Sequence, residues 1–433
     1  MRGMKGLPLI LLLLVGACAE PEATAPDASS IGPAFANGSD AAKQQVGKSI
    51  YFDQNLSFNR NQSCASCHVP EWGFTGPSST VNGAGAVYEG SITGRFGNRK
   101  PPSAAYATPS PVLFHDGTGF FIGGNFWDGR ATGQRLGNPA AEQALGPFLN
   151  PAEQALPDKA CVVYRVCASY GALFEAAWGT GACDITFPGS VDNKCSTENK
   201  PVNLPPGEQA KVDAAYDQIG LSIAAFEASP EVNQYSSKYD AYLAGTADLT
   251  KLEKKGLNLF MHKGKCALCH ILDAGPAGEP ALLTDFTYDN LGVPVNPLNP
   301  AYVNDGFIDP GLGGFLITRP DYAGFAAANW GKHKVPTLRN VDLRPADGEV
   351  KAFGHNGYFK SLEGIVHFYN TRDAKPTCAG LLTEAEARAA NCWPAPEVAV
   401  NVNTAELGDL KLTPNQEAAI VAFLKTLSDG YMP

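Results

Sequence analysis

The chain has no excess of basic charge: 33 Lys and Arg face 43 Asp and Glu, a net charge of −10. Nucleic acid selects basic surfaces, so it is not an expected partner. An apolar run long enough to span a bilayer is also missing. The one sustained run, LPLILLLLVGA, follows Arg2 and Lys5 and leads into Val15-Gly16-Ala17-Cys18, the charge and length pattern of an export signal. Its end reads as a bacterial lipobox, which would make Cys18 the lipid-bearing N-terminus; an ordinary cleaved signal is the alternative. Residues 1–18 are read as the signal. Residues 19–40, rich in Pro, Ala, Ser and acidic side chains without periodicity, are read as a flexible tether. The expected location is the periplasm, with membrane contact only through the lipid anchor.

Histidine is scarce, with 7 in the chain, and two of them follow paired cysteines. The motifs are Cys64-Ala65-Ser66-Cys67-His68 and Cys266-Ala267-Leu268-Cys269-His270. In CxxCH the two thiols attach to a porphyrin edge and the histidine reaches the iron from one side. A lone CxxC could be a redox pair or half a zinc site; CxxCH twice in an exported chain points to two covalently bound haems of the c type. His68 and His270 are the expected proximal ligands.

Beyond these four cysteines and Cys18, six of the 11 remain: Cys161, Cys167, Cys183, Cys195, Cys378 and Cys392. In an oxidising compartment they read as up to three disulfides. Sequence proximity favours 161 with 167, 183 with 195 and 378 with 392, although six cysteines allow about fifteen connectivities. A metal cluster is the rival reading, but no histidine lies near them at zinc-ligand spacing.

The same order of features occurs twice. A helix carrying Val46, Ile50 and Tyr51 precedes Cys64, and a helix with Tyr216, Ile219, Ile223 and Phe226 on one face closes that half. In the second half Leu252, Leu257 and Phe260 precede Cys266, and a helix capped by Thr413 carries Ile420, Phe423 and Leu427. The Gly- and Pro-rich stretches between, such as GPSSTVNGAGAVYEG and NLGVPVNPLNPAYVNDG, are expected to be irregular throughout. The fold class is therefore mainly α: two cytochrome c-like domains, 41–228 and 229–433, with long irregular loops, each holding one haem. Residues 229–248 are read as the linker.

Further motifs occur in order: FWDGRA at 126–131, EQALGPFLNPAE at 142–153, VPTLRN at 335–340 and GHNGYFKSLEGIVHFYN at 354–370. Together with the two CxxCH sites they resemble the bacterial dihaem cytochrome c peroxidases and their relative MauG, from about Gly47 to Leu427. The resemblance implies that the first haem reacts with hydrogen peroxide and the second stores electrons. It places Gln143, Pro147 and Glu153 in the distal pocket of the first haem, where a carboxylate can move a proton between peroxide oxygens. Trp127 is implied as an electron relay between the haems, against the commoner role of a core tryptophan. Glu153 taken alone would read as an exposed carboxylate at a helix start.

The implied distal ligand of the second haem is Tyr369, where peroxidases of the family use Met and MauG uses Tyr. A tyrosine ligand is hard and anionic and disfavours Fe(II). A core tyrosine is the plain alternative, and His367 is a rival ligand nearby. Reductively activated members carry a histidine soon after the first CxxCH, but none occurs from Val69 to Phe114, so the first haem should be open at rest. His115 is the one stand-in, and its DG context suggests a loop. The family also holds calcium between its domains. Here the usual ligand positions read Tyr106, Val350 and Ala352, leaving backbone carbonyls and waters to hold the ion.

Three functions follow. The first is a MauG-like enzyme that takes two oxidising equivalents from peroxide and oxidises a periplasmic partner protein, at tryptophan. The second is a peroxidase that reduces peroxide to water with electrons from a small cytochrome or a cupredoxin. The third is a dihaem electron carrier with no active site.

Overall fold

The computed structural model describes residues 38–275 and 278–432. The signal, the Cys18 lipobox and nearly all of the tether expected at 19–40 lie outside the described residues. The described chain is mainly helical. In the first half α1 (Gly38–Phe52), α2 (Ser79–Gly83), α3 (Pro139–Leu149), α4 (Lys159–Trp178), α5 (Val191–Cys195) and α6 (Pro206–Glu227) follow one another. The second half has α7 (Lys238–Leu243), α8 (Lys251–Met261), α9 (Pro300–Asp305), α10 (Gly311–Leu316), α11 (Leu362–Thr371), α12 (Glu384–Ala389) and α13 (Pro414–Leu424). Strands are confined to two short antiparallel pairs, β1 (Phe114–His115) with β2 (Phe121–Ile122) and β3 (Tyr288–Asp289) with β4 (His333–Lys334).

Local chemistry starts the helices that matter for the site. Asn138 caps α3 by accepting from Ala141 N, and Pro139 occupies the first turn, where a missing N–H costs nothing. Thr250 and Glu253 form a reciprocal capping box at α8. Ser361 accepts from Gly364 N at the start of α11. At α13 the Gln416 side chain accepts from Thr413 N at 3.0 Å.

The apolar faces of these helices build two large clusters. In one, Val46 and Ile50 of α1 meet Phe148 of α3, Val163 of α4 and Ile223 of α6. In the other, Phe260 of α8 meets Phe368 of α11 and Phe423 of α13. The two clusters share one device. A Cβ built on Gly47 would lie 1.9 Å from Ser222 O of α6, and one on Gly256 would lie 1.9 Å from Ala419 O of α13. In each half the helix before CxxCH therefore touches the closing helix backbone to backbone, which only glycine permits.

The structure corrects three expectations. The disulfides are Cys161–Cys195, Cys167–Cys183 and Cys378–Cys392, so one of the three pairs favoured by proximity is right. Cys161 and Cys167 both lie on α4, and six residues of helix rise about 9 Å, beyond disulfide reach. The two stretches expected to be irregular throughout each contain a short helix, α2 and α9, started by Ser78 and Asn299 caps. Residues 229–248 are not plain linker either: they include α7, with Tyr239 buried in the second cluster.

Candidate haem and peroxide site

Cys64–Ser66 is a single 3-10 turn, and His68 N continues it by donating to Cys64 O at 3.0 Å. This winding brings both thiols and the following imidazole to one side of the chain. The His68 ring is oriented by Nδ1, 3.1 Å from Phe74 O. A carbonyl there requires Nδ1–H, which leaves Nε2 with its lone pair. Burial pushes His68 down to about 4, so the ring is neutral. The second motif repeats the geometry: Cys266–Leu268 is a 3-10 turn, and His270 Nδ1 lies 2.9 Å from Leu283 O. Burial lowers His270 as well. All four thiols are unpaired, and burial pushes Cys67, Cys266 and Cys269 up to about 12.

One cavity of about 280 Å³ is lined by His68, His270, Trp127, Gln143 and Tyr369. Trp127 thus stands in the wall of a space that reaches both motifs. Its indole Nε1 donates to Lys100 O at 2.8 Å, and its own carbonyl accepts from Lys334 N at 2.9 Å. Tyr369, on α11, faces the same space, and no hydrogen bond of its hydroxyl is seen among the described residues. Burial, then the thiols of Cys266 and Cys269, raise its pKa.

A smaller adjoining cavity brings together Gln143, Pro147 and Glu153 with His68 and both thiols of the first motif. Gln143 and Pro147 lie on α3, and Glu153 is held in the turn behind it. Glu153 N donates to Asn150 O at 2.9 Å, and Glu153 Oε2 accepts from Asn150 Nδ2 at 2.8 Å. Glu153 is half-buried and lines this cavity, and burial raises its carboxyl.

The rival histidines are engaged elsewhere. His367 Nδ1 lies 3.0 Å from Glu417 Oε1 and its Nε2 2.7 Å from Lys375 Nζ. His115 stands in β1 with its ring against Phe121 and Phe325. Neither lines the two cavities.

The profile of the family described as di-haem cytochrome c peroxidase matches residues 41–248. The methylamine utilization protein MauG of Paracoccus denitrificans is 33% identical over 399 residues, which cover 91% of this chain and 90% of that protein. The chain belongs to the dihaem cytochrome c peroxidase and MauG family. Cytochrome c551 peroxidase of Nitrosomonas europaea is 27% identical over 74% of this chain and 71% of its own. The crystal structure of the diheme peroxidase BthA from Burkholderia thailandensis has a TM-score of 0.67 at 28% identity, covering 89% of this chain and 86% of that one.

As a member of a dihaem peroxidase family the protein is an oxidoreductase acting on peroxide, and the family implies two c-type haems. The residues fit that cofactor. Cys266, Cys269, His68 and His270 line one apolar-walled space, and the unpaired thiols of Cys64 and Cys67 line the smaller cavity that His68 also borders.

Calcium does not fit. Tyr106 donates its hydroxyl to Asp429 Oδ2 at 2.6 Å, and Val350 O accepts from Asn82 Nδ2 at 3.0 Å. Between Val350 and Ala352, the buried Lys351 ammonium donates to the carbonyls of Trp72, Asn340 and Leu343 at 2.9, 2.6 and 3.0 Å. Lys100 Nζ, also buried, donates to Thr75 Oγ1 and Pro101 O, both at 2.9 Å. The two lysine side chains already hold the neighbouring oxygens, which leaves them poorly placed to ligate a cation.

Several site residues carried no signal in the sequence. Glu227, at the end of α6, is 4% exposed and lines both cavities; burial pushes it up to about 8. In the string SIAAFEAS it reads as the polar edge of an amphipathic helix. Lys100 and Lys334 are likewise interior, each lowered by burial to about 7.

Proposed function

We propose that the protein is a MauG-like enzyme that uses hydrogen peroxide to oxidise a partner protein, at tryptophan. The observation that carries this reading is Tyr369 on the wall of the cavity that holds His270, with no hydrogen bond of its hydroxyl seen among the described residues and the rival His367 turned to Glu417 and Lys375. When bound, the haems supply the capacity to take two oxidising equivalents from peroxide and to hold them. His68 and His270 would present Nε2 to the two irons, Cys64, Cys67, Cys266 and Cys269 would anchor the porphyrins, and Tyr369 would be the second ligand at the second iron. A phenolate there disfavours Fe(II), which suits storage of oxidising power over storage of electrons.

The chain's own residues divide the remaining work. Glu153 would accept a proton from one peroxide oxygen and return it to the departing one. Its burial matches this task, because a raised pKa makes the ionised carboxylate a stronger base for the proton it takes and returns. Gln143 offers an amide to orient peroxide, and Pro147 adds an apolar wall that donates no hydrogen bond. Trp127 lies on the path between the two sites. Its N–H donates to a carbonyl, which is no base, so the ring can lose and regain an electron while keeping its proton.

The alternative within the same family is reduction of peroxide to water with electrons from a small cytochrome or a cupredoxin. A dihaem carrier with no active site agrees poorly with a half-buried Glu153 that shares a cavity with His68. Export and the Cys18 anchor remain part of the proposal; among the described residues no helix is long and apolar enough to cross a membrane.

The deciding experiment treats the diferric protein with one equivalent of peroxide beside proteins encoded near its gene, then weighs each by mass spectrometry. A loss of hydrogen mass at a tryptophan of one of them supports the MauG-like reading. Reaction with peroxide only after half-reduction, with no modified protein, supports the peroxidase.

A further inference from the structure

The helix that carries Tyr369 has two working faces. Leu362, Ile365, Val366 and Tyr369 of α11 recur at helical spacing and line the larger cavity. Gly364, Phe368 and Thr371 fall on the opposite side of the helix, where a different element meets them. This is the loop closed by the Cys378–Cys392 disulfide, which contains α12 and is followed directly by Trp393. Cys378, Glu384, Cys392 and Trp393 line neither cavity.

The loop grips both ends of α11. At the N-terminus the buried Glu384 accepts from Lys360 N through Oε2 at 2.5 Å and from Ser361 Oγ through Oε1 at 3.4 Å. That hydroxyl is the cap of the helix, accepting from Gly364 N at 3.0 Å. A carboxylate in this place also faces the positive end of the helix dipole. It lies so close that a Cβ on Gly364 would overlap Oε1, which accounts for a glycine inside the helix, where it is otherwise unfavourable. At the other end Trp393 Nε1 donates to Thr371 Oγ1 at 3.0 Å, and Thr371 Oγ1 donates to His367 O at 2.6 Å. The indole meets the ring of Phe368, the residue before Tyr369, edge to face with centroids 5.1 Å apart. Beside the disulfide the loop is tied at its base: Cys378 N donates to Trp393 O at 2.9 Å, and Trp393 N donates to Pro376 O at 3.1 Å.

We propose that residues 378–393 form a clamp that positions Tyr369 at the second haem, with Glu384 and Trp393 as positioning residues and the Cys378–Cys392 disulfide holding the two together. The inference rests on the reading of Tyr369 as a haem ligand. A ligand atom works only when held within about 0.5 Å of its place. No hydrogen bond of the Tyr369 hydroxyl is seen among the described residues, so its place is set through the helix that carries it. A slip of one residue moves a helical side chain about 1.5 Å along the axis and about 100° around it, enough to take the Tyr369 ring off the cavity wall. Glu384 bears on the N-terminus and opposes movement along the axis. Trp393 bears on the side away from Tyr369 and opposes rotation. The disulfide restricts the loop that joins these contacts, so they act as one. Asn370 is tied separately, donating from Nδ2 to Leu412 O at 2.9 Å and accepting from Leu412 N at 2.8 Å. Loss of the clamp should therefore misplace Tyr369 without unfolding α11.

The test compares the diferric dihaem protein with Glu384→Gln, with Trp393→Phe and with the double substitution Cys378→Ser and Cys392→Ser, by electron paramagnetic resonance. The first haem is the internal control. In the variants the low-spin signal of the second haem should broaden or convert in part to high spin, as Tyr369 leaves the iron in a share of the molecules. The high-spin signal of the first haem and its rate with peroxide should match wild type. Tyr369→Phe separates the two readings. A lost low-spin signal there, with the wild-type signal in all the loop variants, overturns the clamp and keeps the ligand. An unchanged low-spin signal in Tyr369→Phe overturns the ligand, and the clamp with it. Equal disturbance of both haems by the loop variants would make the loop a general staple and also overturn the clamp. Should the doubly substituted protein not fold, Glu384→Gln and Trp393→Phe, which keep the disulfide, decide.

Discussion

The indole Nε1 of Trp127 donates to the main-chain carbonyl of Lys100 at 2.8 Å, in the wall of the cavity that reaches both His68 and His270. A relay role makes the ring itself necessary. Trp127→Phe should keep both haems and the rate of the first reaction with peroxide. Oxidation of the partner should fall at least about tenfold, an added barrier of about 1.4 kcal/mol. Stopped-flow spectra of the peroxide step and mass analysis of the partner separate the two effects. An equal loss in both would make Trp127 a packing residue.

Glu153→Gln should slow peroxide activation by about 10²-fold or more, the range for losing a placed acid-base group. Haem content should be unchanged. Burial raises Glu153, so it becomes an ionised base only above the ordinary carboxylate range. The wild-type rate should therefore climb with pH through that raised value, and the variant should lose the step. A pH profile shared by both proteins would remove Glu153 from the reaction.

Tyr369 predicts the resting spectra. Electron paramagnetic resonance of the diferric protein should show one high-spin haem, open opposite His68, and one low-spin haem held by His270 and Tyr369. Tyr369→Met should turn the second haem toward a stable Fe(II) form and raise its potential. The variant should stop oxidising the partner while still consuming peroxide when fed a reduced cytochrome. An unaltered second haem would leave Tyr369 as core packing.

Gly256→Ala tests the close helix contact beneath the second haem site. The added Cβ would sit 1.9 Å from Ala419 O, so α8 and α13 must move apart. Overpacking of this kind costs about 1–3 kcal/mol, read as a lower midpoint in denaturant. Gly47→Ala should act alike through Ser222 O.

Chelation by EGTA should leave both haem spectra unchanged, because Lys351 and Lys100 already occupy the oxygens near Val350. Lys351→Met should lower stability, since it strands the carbonyls of Trp72, Asn340 and Leu343 in the interior. Stoichiometric calcium in purified protein would contradict the first expectation.

What the sequence determined by itself is the part of the protein written in local order. CxxCH is a contiguous motif, so its spacing alone points to two candidate attachment turns and two candidate proximal histidines. The helices before and after each motif were legible because apolar residues recur at helical period, and Thr413 was legible as a cap. Gln143, Pro147 and Glu153 were singled out only through the resemblance of one contiguous motif to a known family, and the fold places the three on one cavity.

What only the tertiary structure decided is the set of relations between residues far apart in the chain. The helix that carries both Cys161 and Cys167 keeps them from pairing, and the fold brings Cys195 and Cys183 to them instead. Glu227, Lys100 and Lys351 look like ordinary surface charges in the sequence, because nothing local distinguishes a buried charge from a solvated one. His333, His355, Asp309 and Glu397 come from four separate segments, and only packing sets their ring and carboxylate atoms a few ångströms apart. Chain order encodes contacts along a helix or within a turn, whereas burial and long-range pairing depend on where the loops close, which no local pattern states.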